Sequence, residues 1–157
     1  MPALSADEMK ATARRFLDEL YNKGNTAVVD EQMAPNFVYH TAEPPTTRDR
    51  AGVIQEARML RAAFPDLRFT IDEMLVEGDK MMVRWTMSGT HEGNLYGVQP
   101  THKQVTWSGI GSAQMSDGKN VAWWNFPDDM GLFQQLGAIP RPEITQQTQA
   151  SQAQPQV

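Results

Sequence analysis

Cysteine is absent from the 157 residues. That excludes disulfides, thiolate metal sites and cysteine nucleophiles. Basic charge is also scarce: 14 Lys and Arg stand against 19 Asp and Glu, a net charge of -5. Phosphate binding wants a basic patch, so nucleic acid is not an expected partner. No apolar run approaches the roughly 18 residues of a membrane helix, so no membrane partner is expected. "MPALSADEMK" has no basic segment leading into an apolar one and does not read as a secretory signal. The expectation is a soluble, cytoplasmic protein. Internal repeats are absent too. The length favours one domain, large enough to bury a core without covalent staples.

What is present reads as helices first and strands later. "SADEMKATARRFLDELYNKG" carries Met9, Ala13, Phe16, Leu20 and Tyr21 at helical spacing. Ser5 and Glu8 form a capping box at its start, and Gly24 is its stop. A short helix is predicted from Thr26 to Met33, capped by Asn25, followed by the strand "NFVYHT" and the loop "AEPPTT". Arg48 to Phe64 repeats Val53, Ala57, Leu60 and Phe64 at helical spacing, and Pro65 ends it. The period then changes to two. "LRFTIDEMLVE" and "KMMVRWTMSGTH" are strands joined by Gly78-Asp79, a hairpin signal. After the loop "EGNLYGVQPTHK", the strand "QVTWSGIGSAQM" turns at Asp117-Gly118 into "KNVAWWNF". A last helix is predicted from Asp128 to Leu136. The glutamine-rich stretch 143–157 has no pattern able to form a core and reads as a disordered tail beyond a domain at 1–142. The order implies α+β: a curved, mostly antiparallel sheet wrapped around N-terminal helices, with a pocket in the concave face if side chains leave it open.

"FPDL", "EGDK", "VRWT", "GTHEG", "QPTHK", "DGK" and "GLFQQLG" occur in that order between Ala6 and Gly137. In this combination the chain resembles the SnoaL-like polyketide cyclase family of the nuclear-transport-factor-2-like superfamily. The resemblance implies a cone-shaped barrel, a homodimer paired through the outer face of its sheet, and a hydrophobic small-molecule substrate. It also implies a cofactor-free intramolecular aldol ring closure, with an aspartate before the last helix as general acid/base. Asp128 matches that position. Two segments depart from the family pattern: "NVAWW" follows "DGK" where more polar residues are usual, and His102 replaces a loop glycine.

The residues themselves leave alternatives open. Beside Trp124, Phe126 and Pro127, the Asp128 carboxyl would be poorly solvated if those side chains lined a cavity, and desolvation would bring it toward the range of a working base. Aspartate in front of "MGLFQQL" is equally a helix cap, a role Asp129 is able to take instead. His40 and His91 end strands, where each is either a ligand hydrogen-bonding group or a structural histidine. Asp128, His91 and His40 are the candidate catalytic residues. They have no metal-binding spacing, and no metal is expected. Trp85, Trp107 and Trp124 are candidate flat walls for a planar ligand, with Phe64, Tyr39 and Met59 completing the candidate lining. Other proton-transfer chemistry in the same pocket, such as isomerisation, dehydration or epoxide hydrolysis, and a non-catalytic binding or dimerisation domain are the alternative functions.

Overall fold

The computed structural model describes residues 3–41 and 47–141. The stretch 143–157, read above as a tail, and most of the loop "AEPPTT" lie outside the described residues. The first helix, α1 (Ala6–Leu17), starts on the expected capping box: the Ser5 side chain accepts from the Glu8 amide while Glu8 accepts from the Ser5 amide. It runs into a π-helical turn, Asp18–Asn22, which swings Leu20 and Tyr21 into the core. Helix α2 (Ala27–Gln32) follows, where the Asn25 side chain accepts from the Ala27 amide. Strand β1 (Met33–Thr41) begins three residues earlier than the sequence suggests.

Thr47–Arg48 forms the short strand β2 rather than the first turn of a helix. Helix α3 (Arg50–Ala63) starts one residue past Asp49, whose carboxylate accepts from the Gly52 amide. Then come β3 (Arg68–Glu77), β4 (Lys80–Thr90), β5 (Gln104–Ser116), β6 (Lys119–Pro127) and α4 (Asp129–Gln135). Gly78 and Asp117-Gly118 sit at positive φ in the two hairpin turns, as primed turns require.

These strands make one open six-stranded sheet in the order β2-β1-β6-β5-β4-β3. All neighbours are antiparallel except β1 and β6, which run parallel. Bulges at Ile71/Glu73 and Gln114/Met115 interrupt the ladders, and such interruptions bend a sheet. The architecture is the expected α+β curved sheet, packed on α1 and its π-helical extension.

Alternation sorts the sheet into two faces. Met81, Val83, Trp85 and Met87 of β4 are buried inward, and their neighbours Lys80, Met82 and Arg84 are exposed outward. Gly109 and Gly111 of β5 have a specific job on the inner face. A Cβ at Gly109 would lie 2.4 Å from the Trp85 ring, and one at Gly111 would lie 1.9 Å from the Trp123 ring. With hydrogen in place of Cβ, both indoles lie across β5.

Candidate functional site

The concave face and α1 do not fill the space between them. Met9, Thr12 and Phe16 of α1 form one wall of a cavity, and Tyr21 of the π-turn forms its flank. The sheet supplies Tyr39 from β1, Trp85 from β4, Met115 from β5, and Trp123 and Asn125 from β6. Five methionines, Met9, Met33, Met81, Met87 and Met115, share the lining. Their unbranched side chains adapt to irregular ligands. No Asp, Glu, His, Lys or Arg is among the lining residues.

The lining is mostly apolar, with Thr12, Gln32 and Asn120 among its polar members, and one chain of hydrogen bonds links three of its residues. Trp85 Nε1 donates to Asn125 Oδ1 at 3.2 Å, and Asn125 Nδ2 donates to the Tyr39 hydroxyl at 3.0 Å. The indole N–H is only a donor, so Asn125 must turn its carbonyl to Trp85 and its amide nitrogen to Tyr39. The Tyr39 oxygen therefore accepts, which leaves its own O–H to donate elsewhere. Burial, followed by the charge of Glu56, raises the Tyr39 phenol well above its ordinary value; Asn125 and Arg48 oppose the shift. Burial likewise raises Tyr21. Both are neutral hydroxyls at physiological pH.

A second polar group lies beside Tyr39. Arg48 faces Tyr39 across the β1–β2 pair, with its guanidinium 5.5 Å from the ring centroid. It forms an ion pair with Glu56 of α3. The Glu56 side chain is only 16% exposed. Burial raises its carboxyl above the usual range, and Arg48 pulls it back.

The expected site residues separate into five places. Tyr39 and Trp85 line the cavity. Phe64, Trp107 and His91 form another cluster, with Phe64 5.1 Å from Trp107 and 5.6 Å from His91 between ring centroids. Trp107 points to the same face as Trp85 but packs against the end of α3, and neither it nor Phe64 lines the cavity. His91 is fully buried there: Nδ1 accepts from the Thr101 amide at 3.2 Å and lies 3.0 Å from its hydroxyl, while Nε2 has no partner. His40 and Trp124 stack at 4.6 Å on the other face of the sheet. The parallel register pairs Tyr39 with Trp123 and His40 with Trp124, so one pair faces the cavity and the next faces away. Met59 is half-buried against the core.

Asp128 stands at the start of α4, exposed, where Oδ1 accepts from the Gly131 amide at 2.9 Å. A Cβ at Gly131 would meet the Asp128 carboxylate at 2.2 Å, so the glycine makes room for this cap. The cap is Asp128, not Asp129, and the expected dry surroundings are missing: Phe126 is 59% exposed. It is Asp129 whose carboxyl is raised, first by partial burial and then by the Asp128 charge. Among the described residues no group of three or more His, Asp or Glu is placed to hold a metal ion, and no helix is long and apolar enough to cross a membrane.

Asn125, Arg48 and Glu56 escape the sequence reading. Asn125 sits between two aromatic residues and carries no spacing signal. Arg48 and Glu56 meet only because β2 folds back beside α3.

The profile of the SnoaL-like polyketide cyclase family matches residues 11–136. The nogalonic acid methyl ester cyclase of Streptomyces nogalater is 27% identical over 120 residues, 74% of this chain and 89% of that relative. Among solved structures, AclR of Streptomyces galilaeus superposes with a TM-score of 0.79 at 26% identity, covering 89% of this chain and 88% of its own. IdmH of Streptomyces antibioticus superposes with a TM-score of 0.71 at 31% identity, covering 82% and 97%.

Proposed function

The chain belongs to the SnoaL-like polyketide cyclase family, and on that premise we propose that it is a cyclase-type enzyme acting on an uncharged, hydrophobic, carbonyl-rich small molecule held in the cavity. The observation that carries this reading is the Trp85–Asn125–Tyr39 chain in a mostly apolar lining without charged residues, in which Thr12, Gln32 and Asn120 are the other polar members beside Tyr21. A few placed polar groups in an apolar pocket orient a ligand. Ring closure of the aldol type takes a proton from a carbon beside a carbonyl, and negative charge collects on the carbonyl oxygen. The free Tyr39 O–H is the donor for that oxygen, and Asn125 holds it in place. Trp85 and Trp123 form flat walls for a planar ligand. In this reading Asp128 serves α4 as its cap rather than reaching the ligand, and no lining residue is assigned as the base.

The test is the Tyr39→Phe variant, which removes one oxygen. A neutral anthraquinone methyl ester is the probe, and quenching of tryptophan fluorescence is the readout. Wild type is expected to bind, and the variant to bind about tenfold more weakly, the scale of one lost hydrogen bond. Equal affinity in the two proteins sinks the assignment of Tyr39.

A non-catalytic binding domain is the second reading, and the uncharged lining favours it. It is distinguished by turnover: a binding domain retains the probe chemistry unchanged, however tightly it holds it.

The outer face supports a homodimer. Leu75 (61% exposed), Met82 (44%) and Ile110 (46%) lie there together with Phe126. The ladders place Leu75 beside Met82, and Ile110 beside Phe126. An exposed apolar patch of this kind on a sheet is covered in most soluble proteins.

A further inference from the structure

The cavity has polar side chains toward both ends. Tyr39 and Asn125 occupy one. Gln32, Asn120 and Thr12 line the cavity as well, and the strand register sets them apart from the first pair. Gln32 ends α2, and the next residue, Met33, pairs with Asn120 near the start of β6. Asn125 lies toward the other end of β6, where it pairs with Thr41. At the usual rise of a strand the two asparagines are roughly 13 Å apart. Met9 and Met115 line the cavity and also border a second pocket beside the turn at Gly118. The start of α1 therefore lies at the Asn120 end, with Thr12 one turn on from Met9.

Local chain geometry aims Asn120 inward. Trp123 and Asn125 face the cavity, so plain alternation would put Asn120 on the other face with Trp124. Between the pairs Gln114–Ala122 and Met115–Asn120, β6 carries an extra residue, Val121. This bulge reverses the phase and brings Asn120 to the cavity beside Met115. Asn120 Oδ1 accepts from the Ala122 amide at 3.1 Å. That bond occupies the carbonyl and leaves Nδ2 as a donor. Among the described residues, neither that nitrogen, nor the Gln32 amide, nor the Thr12 hydroxyl has a hydrogen-bond partner. Polar side chains in a protein interior are hydrogen-bonded as a rule. Methionine at position 32 would fill the same space without an unpaired amide, so packing alone does not account for Gln32.

We propose that Gln32, Asn120 and Thr12 form a second binding subsite, which takes a carbonyl oxygen at the far end of an elongated, uncharged, multi-ring ligand and so decides which way round the ligand lies. This rests on the reading of the cavity as the ligand site. The Asn120 donor selects an acceptor oxygen. The lining holds no positive side chain, so a carboxylate would be desolvated there without a counter-charge, and a neutral ketone or ester is favoured. With Tyr39 donating at the other end, the two subsites together select for length: a single-ring molecule reaches only one of them.

The test compares two probes by quenching of tryptophan fluorescence. One is the neutral anthraquinone methyl ester. The other is the dimethyl ester, with its second group on the opposite outer ring. The readout is the ratio of their affinities. In wild type the second ester is expected to tighten binding about tenfold, the scale of one hydrogen bond, and Gln32→Met and Asn120→Asp are each expected to abolish that advantage. Asn120→Asp keeps the oxygen that accepts from Ala122 but replaces the donor with a charge. Gln32→Met breaks no hydrogen bond, so it carries the test alone if Asn120→Asp does not fold. Its melting temperature is expected to equal or exceed that of wild type. Tyr39→Phe is expected to weaken both probes and preserve the ratio. A wild-type ratio retained in either folded variant overturns the inference. So does a wild-type protein that gains nothing from the second ester. Equal weakening of both probes by Gln32→Met, with a lower melting temperature, overturns it too, because that marks a packing role. In each of these cases a loss of affinity in Tyr39→Phe leaves the cavity reading standing. Binding of neither probe by wild type overturns both.

Discussion

Asp128 and Asp129 are neighbours in sequence with different surroundings. Asp128 accepts from Gly131 and closes the open end of α4. Asp129 is pushed up by partial burial and by Asp128. Asp128→Ala should cost about 1 kcal/mol, the scale of a lost cap, and lower the melting temperature by about 2–4 °C. Asp129→Asn should not lower it at neutral pH. The sign follows from linkage: a carboxyl raised in the folded state opposes folding once it ionises, so its contribution falls as pH rises through the carboxylate range. The gain from Asp129→Asn should therefore appear above that range and vanish in acid. Melting curves of both variants between pH 3 and pH 7, taken as about the limits of carboxylate titration, decide this. A drop for Asp129→Asn with none for Asp128→Ala would reverse the roles.

Among the elements, β5 has the greatest leverage on the cavity. Its two inner glycines let Trp85 and Trp123 cross it. Gly111→Ala drives a methyl group into the Trp123 ring and must move the indole or the strand. Overpacking of this kind costs about 1–3 kcal/mol. The expected result is a lower melting temperature together with weaker binding of the anthraquinone probe. Gly118→Ala, in a hairpin turn with nothing within 4 Å of its added Cβ, is the control: it strains a positive-φ turn and lowers stability, but leaves probe affinity unchanged. Equal losses of affinity in the two variants would show that the floor of the cavity is not set by Trp123.

At the scale of the molecule, the sheet has one face for the cavity and one face still exposed. Arg84, on that outer face, pairs with Asp72 and Glu73 on the neighbouring strand. The apolar residues beside it remain. Sedimentation should show twice the 17.6 kDa of one chain at micromolar concentration. Phe126→Lys, which introduces a charge at an exposed position on that face, should shift the equilibrium to monomer without unfolding. A wild-type monomer would leave the apolar face without this explanation.

The helices and hairpins were legible in the chain because their causes are local. The Ser5–Glu8 capping box, the apolar spacing of α1 and α3, and the turns at Gly78 and Gly118 act within a few residues. The two faces of each strand were legible for the same reason. Which face is concave was not, because alternation has no sign: Tyr39 and His40 look equivalent until the parallel pairing of β1 with β6 puts Trp123 beside one and Trp124 beside the other. The run of aromatic residues before Asp128 suggested dry surroundings, but half of that run faces outward. Asn125 became a site residue only when Trp85 arrived from β4 and Tyr39 from β1. Arg48 met Glu56 only when β2 folded back on α3. Composition and periodicity determined an α+β chain with an apolar, cysteine-free interior. Tertiary structure decided which few polar atoms that interior contains, because hydrogen bonds and charges depend on distances that sequence order does not encode.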